Sequence, residues 1–367
     1  MAIDIVVTED MRTQMAEANK QVMTLFGLKP DTVEEWEDGF RTNGQHGTFE
    51  WWYIDAQLDD GSTVVVTFST KPHTHPDGPL RPTVLMIHRA KDGTRTMHSI
   101  EFPAAEFAAT VDTCDVTIGK NTFKGNLKKY VMHVETDGFA VDLHIDRQAP
   151  SWRPGGGVNY YNKEQTKYLA WVVPVPYGTC KGTVTLDGVT KHVTGGVYHD
   201  HNWGNALMGD YIDHWYWGRA HVGDYTLIYA VLTTKNMIIV PQIHLPVLFV
   251  SKGDDILVGD GMGMKLTTSN FQEGPDGQHY PNLLEFNLPD TVPGVDGSVS
   301  FVISNPKLIE VLKMDDADEP DWARALKHLV ANPLYYDFDA DLSLTVNIAG
   351  QDETVSGTTI FERMMFR

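Results

Sequence analysis

In Tyr336-Asp-Phe-Asp-Ala-Asp-Leu-Ser-Leu-Thr-Val346, apolar residues at 336, 338, 340, 342, 344 and 346 alternate strictly with Asp, Ser and Thr. Side chains of an extended chain point alternately to opposite faces, so this pattern places one face in a core and the other towards solvent. Ser62-Thr-Val-Val-Val-Thr-Phe-Ser69, Val141-Asp-Leu-His-Ile-Asp146 and Tyr225-Thr-Leu-Ile-Tyr-Ala-Val-Leu232 are likewise rich in β-branched and aromatic residues. Asp-Gly pairs at 60–61, 92–93, 137–138, 187–188 and 296–297 punctuate the runs, and Asp-Gly is a strong hairpin signal. Many short strands joined by tight turns predict an all-β chain, built as antiparallel barrels or sandwiches.

Two segments depart from that pattern. Residues 8–27 predict a helix: Thr8 can cap it, Glu9 and Asp10 suit its positive end, and Met11, Met15, Ala18, Val22 and Leu25 recur at helical spacing before Gly27. A second helix is predicted near 320–331, starting at Pro320 and carrying Trp322, Leu326, Leu329 and Val330. A faint repeat relates Trp51-Trp-Tyr-Ile-Asp, leading into the 62–69 strand, to Trp215-Tyr-Trp-Gly-Arg, leading into the 225–232 strand. The expected organisation is therefore a helical extension over 1–34 and two β domains of similar build, 35–204 and 205–367. The Pro/Gly-rich stretch 150–157 reads as a loop inside the first.

The chain has 367 residues and a formal net charge of −20, which argues against nucleic acid or an anionic membrane surface as partner. Cys114 and Cys180 are expected to be reduced thiols. The start of the chain lacks a basic segment followed by an apolar run, and no stretch has the length of a membrane span, so a cytoplasmic location is the expectation.

Chemistry concentrates in Gly196-Val-Tyr-His-Asp-His-Asn-Trp-Gly204 and Asp213-His-Trp-Tyr-Trp-Gly-Arg219. If 197–203 is extended, His199, His201 and Trp203 share one face, and Tyr198, Asp200 and Asn202 the other. Two imidazoles beside an indole suit three uses: protonating a substrate, binding a metal, or holding an aromatic guest. For a metal, His214 or His221 would have to join His199 and His201. A His-x-His arises easily among 15 histidines, and no metal is expected. His73 and His75, flanked by Pro72 and Pro76, read as a loop.

Phe49-Glu-Trp-Trp-Tyr-Ile-Asp-Ala56, Trp152-Arg-Pro-Gly-Gly156, Tyr198-His-Asp-His-Asn-Trp-Gly204 and Trp215-Tyr-Trp-Gly-Arg219 together resemble the carotenoid 1,2-hydratase (hydroxyneurosporene synthase), or AttH-like, superfamily. The resemblance runs from about residue 35 to the C-terminus and implies two lipocalin-like β domains in tandem. It also implies one of several activities: carotenoid hydration, hydration of prenylated isoflavonoids, or Diels–Alder cyclisation of polyenes. A His-x-Trp pair and, about 25 residues on, a Tyr-x-Asp pair carry catalysis in the carotenoid hydratases. The first matches His201 and Trp203. The second matches only at Tyr229, because Val231 stands where the acid belongs. Either another carboxylate serves here or the chemistry differs.

Hydrating an alkene requires a proton delivered to carbon and capture of the resulting cation by water, with no metal or redox cofactor. The acid must stay protonated, which burial can achieve, and an electron-rich ring should face the cation. Asp213, Asp200 and Glu50 are the candidate acids, with Asp213 preferred. The plain alternative for Asp200 and Glu50 is that they hold the site together. His201 is assigned as acid–base group, Trp203 as cation stabiliser and Tyr229 as hydrogen-bond donor. His199, Trp52, Glu50, His214, Trp215 and Trp217 are expected to bind substrate. The expected function is thus a cofactor-independent hydratase or dehydratase acting on a C=C bond of a hydrophobic prenylated, terpenoid or polyene-like molecule. An isomerase or cyclase on the same substrates, and a non-catalytic binder of apolar ligands, stay open. A homodimer is compatible with all three.

Overall fold

The computed structural model describes residues 3–5, 8–73, 75–236, 242–289, 297–313 and 333–366. The helix expected at 320–331 lies outside the described residues. The fold is all-β and lipocalin-like, made of curled antiparallel sheets that form half-barrels, with few helices. The chain divides into two compact units, one of residues 18–207 and the other of 1–17 with 208–367.

In the 18–207 unit, a meander of Phe49–Leu58, Thr63–Ser69, Thr83–Arg89 and Arg95–Glu101 forms one wing of the sheet. The last strand of the unit, Val189–Gly204, returns to pair with the first, Phe49–Leu58, and carries the sheet on through Tyr168–Leu186 and Phe139–Arg147. The other unit follows the same plan. Ile212–Val222 opens a meander with Tyr225–Thr234, and Gln351–Phe366 returns to pair with Ile212–Val222. The repeat read around Trp51 and Trp215 therefore marks the opening strand of each sheet.

Local chemistry explains the hairpins. Between Tyr168–Leu186 and Val189–Gly204, Asp187 and Gly188 both take positive φ, 48° and 78°. A two-residue turn of that kind matches the right-handed twist of its strands, and Asp-Gly tolerates it best. The strand Pro333–Ile348 alternates as its sequence demands: Tyr336, Phe338, Ala340, Leu342, Leu344 and Val346 are all buried. Phe338 stacks on Phe361 at 5.2 Å and packs against Tyr280 at 4.7 Å. In the 18–207 unit Trp52, Phe68, Phe123, Tyr130 and Phe139 fill the corresponding space. Both interiors are thus packed with side chains.

The helix Glu9–Phe26 forms, but on a different face from the one its spacing suggested. Leu25 is 70% exposed and Ala18 is exposed, whereas Val22 is buried. Asn19 and Val22 cover Gly155 and Gly156, and Asn19 Oδ1 accepts the Gly156 N–H at 3.3 Å. The glycine run supplies a surface without Cβ atoms, and that surface selects the helix face. Cys114 and Cys180 are buried free thiols.

Phe338→Ala removes a fully buried ring contacted from three sides and should cost about 3–5 kcal/mol, read from urea unfolding followed by tryptophan fluorescence. A loss below ~1 kcal/mol would mean that this aromatic cluster does not hold the unit together.

Candidate active site

The strand Val189–Gly204 presents chemistry on both faces. On the inner face His199 and His201 are fully buried, between two carboxylates. Glu50, from the neighbouring strand, accepts His201 Nε2 at 2.9 Å, the Arg41 and Thr42 backbone N–H groups at 2.8 and 2.9 Å, and the Thr42 hydroxyl at 2.8 Å. The other carboxylate is Asp38. His199 Nε2 lies 3.2 and 3.3 Å from its two oxygens, His201 Nδ1 lies 3.5 Å from Oδ1, and the Tyr130 hydroxyl donates to Oδ2 at 2.7 Å. The Trp52 indole stacks on His201 at 4.5 Å and donates its N–H to the Asp38 carbonyl at 3.0 Å. Trp203, half-buried, tilts over His201 at 4.9 Å and packs with Val33, Leu127 and Val172.

Asp38 reaches this position from the single-turn helix Glu35–Asp38. That turn is closed by a capping box in which Glu37 accepts the Glu34 N–H at 2.8 Å. Glu37 is clamped by Arg153, whose Nη1 donates to its carboxylate at 2.8 and 3.0 Å, with both side chains buried. Arg153 also donates to the carbonyls of Thr32 and Lys29. Burial pushes the Glu37 carboxyl upwards, and the Arg153 guanidinium opposes that push. For His199, burial presses the imidazole down, but the Asp38 carboxylate, with the hydrogen bond it accepts, outweighs it and the net direction is up.

Asp38, Cys114 and His199 bring a carboxylate oxygen, a thiol and a ring nitrogen within 4.8 Å of one another, residue types that could hold a metal. Each already has a partner in the fold, since Cys114 Sγ donates to the Phe123 carbonyl at 3.8 Å and Asp38 is shared by Tyr130 and His199. Burial, and then the Asp38 charge, push the Cys114 thiol well up, which keeps it protonated. The set fits a polar core better than a ligand shell.

The outer face of the same strand carries Tyr198, Asp200 and Asn202, the alternation expected of 197–203. Asp200 Oδ2 accepts the Tyr198 hydroxyl at 2.8 Å and the Trp171 indole N–H at 3.0 Å, while Oδ1 accepts the Asn202 amide at 2.9 Å. Despite three donors, burial dominates and the Asp200 carboxyl is pushed up to about 6. Trp171 and Asn202 beside it are only half-buried.

The remaining expected residues belong to the other unit. Asp213 is bound to its neighbour, with Oδ2 2.6 Å from His214 Nδ1. Trp215 packs on Phe366 at 5.4 Å, and Trp217 is half-buried on the same strand. Tyr229 is fully buried between Phe286 and Phe301, its hydroxyl 3.2 Å from Thr359 Oγ1. His221 contacts Thr226 at 3.1 Å within its own hairpin.

The AttH-like family pattern matches residues 41–296, and the chain belongs to that family. A hydroxyneurosporene dehydrogenase of Chlorobaculum tepidum is 27% identical over an alignment of 237 residues that covers 55% of this chain and 61% of that protein. The match thus spans about three fifths of that relative's length. The crystal structure of CghA superposes with a TM-score of 0.59 at 14% identity, covering 87% of this chain and 88% of CghA. Kievitone hydratase from Nectria haematococca gives 0.53 at 14% identity, covering 92% and 93%. These two likenesses establish the shared fold. No helix among the described residues is long and apolar enough to cross a membrane.

Asp38, Tyr130, Arg153 and Trp171 were not singled out from the sequence. Asp38 ends the acidic run Glu34-Glu-Trp-Glu-Asp38, which looks like a solvated face, and its partner His199 is 161 positions away. For Arg153 there was a usable signal, since it lies in the Trp152-Arg-Pro-Gly-Gly156 segment that carries the resemblance.

Two consequences can be measured. Arg153→Met strands Glu37 in the interior and should destabilise the protein by about 3–5 kcal/mol, with part of the loss recovered by adding Glu37→Gln; a denaturation double-mutant cycle reads the coupling. Asp200, with an ordinary value of 3.8 raised to about 6 on folding, binds more protons folded than unfolded between those values. Its contribution is therefore favourable below that window and is lost as pH rises through it, by up to about 3 kcal/mol. Stability measured from pH 4 to 7 should fall less steeply in Asp200→Asn than in the unaltered protein.

Proposed function

We propose that this chain is a hydratase or dehydratase acting on a C=C bond of a hydrophobic, unsaturated small molecule, with Asp200 as proton donor. The carrying observation is the environment of Asp200. Of the three carboxyls considered as the acid, Glu50 is saturated by four donors and Asp213 is tied to His214. Asp200 alone of them combines burial, a carboxyl raised to about 6 and aromatic neighbours. A neutral carboxyl of that strength can protonate carbon near neutral pH.

The chemistry balances without a further reactant besides water. Asp200 gives its proton to one alkene carbon and becomes a carboxylate, leaving a tertiary cation at the other. The indole of Trp171, held against Asp200 by its N–H, offers a π face to that cation. Water adds to the cation, and the proton it loses returns to Asp200. Dehydration is the same path reversed. Tyr198 and Asn202 hold the carboxyl in place. His201 and Glu50, enclosed on the opposite face, support the strand, so His201 and Tyr229 act through the fold here and not on the substrate.

Kievitone hydratase and CghA both share this fold, so the hydratase reading rests on Asp200 and not on either likeness. The packed interiors favour an enzyme acting at a sheet surface over a carrier that encloses its ligand, because carriers of this fold leave the barrel centre open. Incubation with prenylated phenols, acyclic terpenes and polyenes in ¹⁸O-labelled water tests the reading by mass spectrometry. The unaltered enzyme should place label in an alcohol product, and folded Asp200→Asn should lower kcat by about 10²–10⁴-fold. Full turnover in Asp200→Asn refutes the assignment, and a product of unchanged mass would identify an isomerase or cyclase instead.

A further inference from the structure

The imidazole of His199 is enclosed on every side. Its Nδ1 lies 2.9 Å from the Tyr53 carbonyl oxygen, which can only accept, so Nδ1 carries a proton. Its Nε2 faces both oxygens of Asp38 at 3.2 and 3.3 Å. The edges and faces of the ring meet Phe123 at 4.7 Å and Tyr130 at 5.2 Å. The titratable groups around it are Asp38 from the 35–38 turn, Cys114 and Tyr130 from the strands Cys114–Ile118 and Lys129–Thr136, and Asp200 along its own strand. With the Tyr53 carbonyl at one nitrogen and an ionised Asp38 carboxylate at the other, the ring satisfies both contacts only when both nitrogens are protonated.

We propose that Asp38 is a positioning residue: it keeps His199 in the cationic form, and that buried charge, one residue from Asp200, sets how tightly Asp200 holds its proton. Asp200 faces Tyr198, Asn202 and Trp171 on its own side of the sheet and feels His199 and His201 through the strand. The two imidazoles draw the carboxyl down against the push of burial. A buried carboxyl with no cation behind it would hold its proton too firmly to release it to carbon. Asp38, which touches no solvent and no substrate surface, thereby trims the strength of the acid on the far face of the sheet.

This deepens, and rests on, the reading of Asp200 as the proton donor. Long-range ¹H–¹⁵N spectra of the unaltered protein near neutral pH should show both ring nitrogens of His199 protonated. A ring with one bare nitrogen would overturn the inference without any variant being needed. Carboxyl ¹³C titration should then place the Asp200 midpoint in Asp38→Asn higher than in the unaltered protein by roughly one pH unit, the size of a Coulomb interaction across a strand. His199→Asn, which keeps a donor to the Tyr53 carbonyl but loses the charge, should give the same upward move, as should the alkaline limb of the kcat profile. An unmoved midpoint in a variant that folds refutes the role of Asp38. If the midpoint moves but Asp200→Asn retains full turnover, the electrostatic link stands and the catalytic reading of Asp200 fails.

Discussion

Much of the 18–207 unit depends on one buried carboxylate. Asp38 closes the short helical turn Glu35–Asp38, and it is shared by His199, Tyr130 and, at longer range, His201. A charge so placed is costly unless every lone pair is used. The Tyr130 hydroxyl and the rings of His199 and His201 surround the Asp38 carboxylate, while the Arg153–Glu37 clamp, the Glu34–Glu37 capping box and the Trp52 indole on the Asp38 carbonyl hold the turn that carries it. Removing any of these would leave a polar group stranded in a low-dielectric interior.

This arrangement separates two jobs along a single strand. Alternation puts the histidines inward, where they are sealed, and Asp200 outward, next to half-buried Trp171 and Asn202. The inner face holds the sealed histidines and carboxylates, and the outer face holds a carboxyl pushed up to about 6 by burial. The His-x-Trp pattern that draws attention in the sequence therefore lies on the inner face, with Trp203 covering His201 and apolar neighbours. Like-built as it is, the other unit carries no such cluster on its matching strand among the described residues: Gln351–Phe366 lines its core with Phe361, Met364 and Met365.

The curled sheets of this fold are backed by cores rich in aromatic side chains. Residues on the outer face of a curled sheet are fixed by the packing beneath them, so a carboxyl and an indole can be held at 3.0 Å without a flexible loop.

The sequence by itself determined the strands, their faces and their turns, because a period of two and the positive φ of Asp187-Gly188 are local properties of the chain. It also marked the segment 196–204 as chemically unusual and put Asp200 opposite His199 and His201. It preferred Asp213 among the candidate acids Asp200, Glu50 and Asp213, but the burial and donors of each depend on other parts of the chain: Trp171 is 29 positions from Asp200, and His201 is 151 from Glu50. The helix at 9–26 was legible, yet its buried face was not, because the glycines that select it lie at 155 and 156. Asp38 was hidden altogether, as an acid in an acidic run has no local mark of burial. Burial and hydrogen-bond partners such as these are set by what packs around a group, and that packing is made by residues far away in the chain.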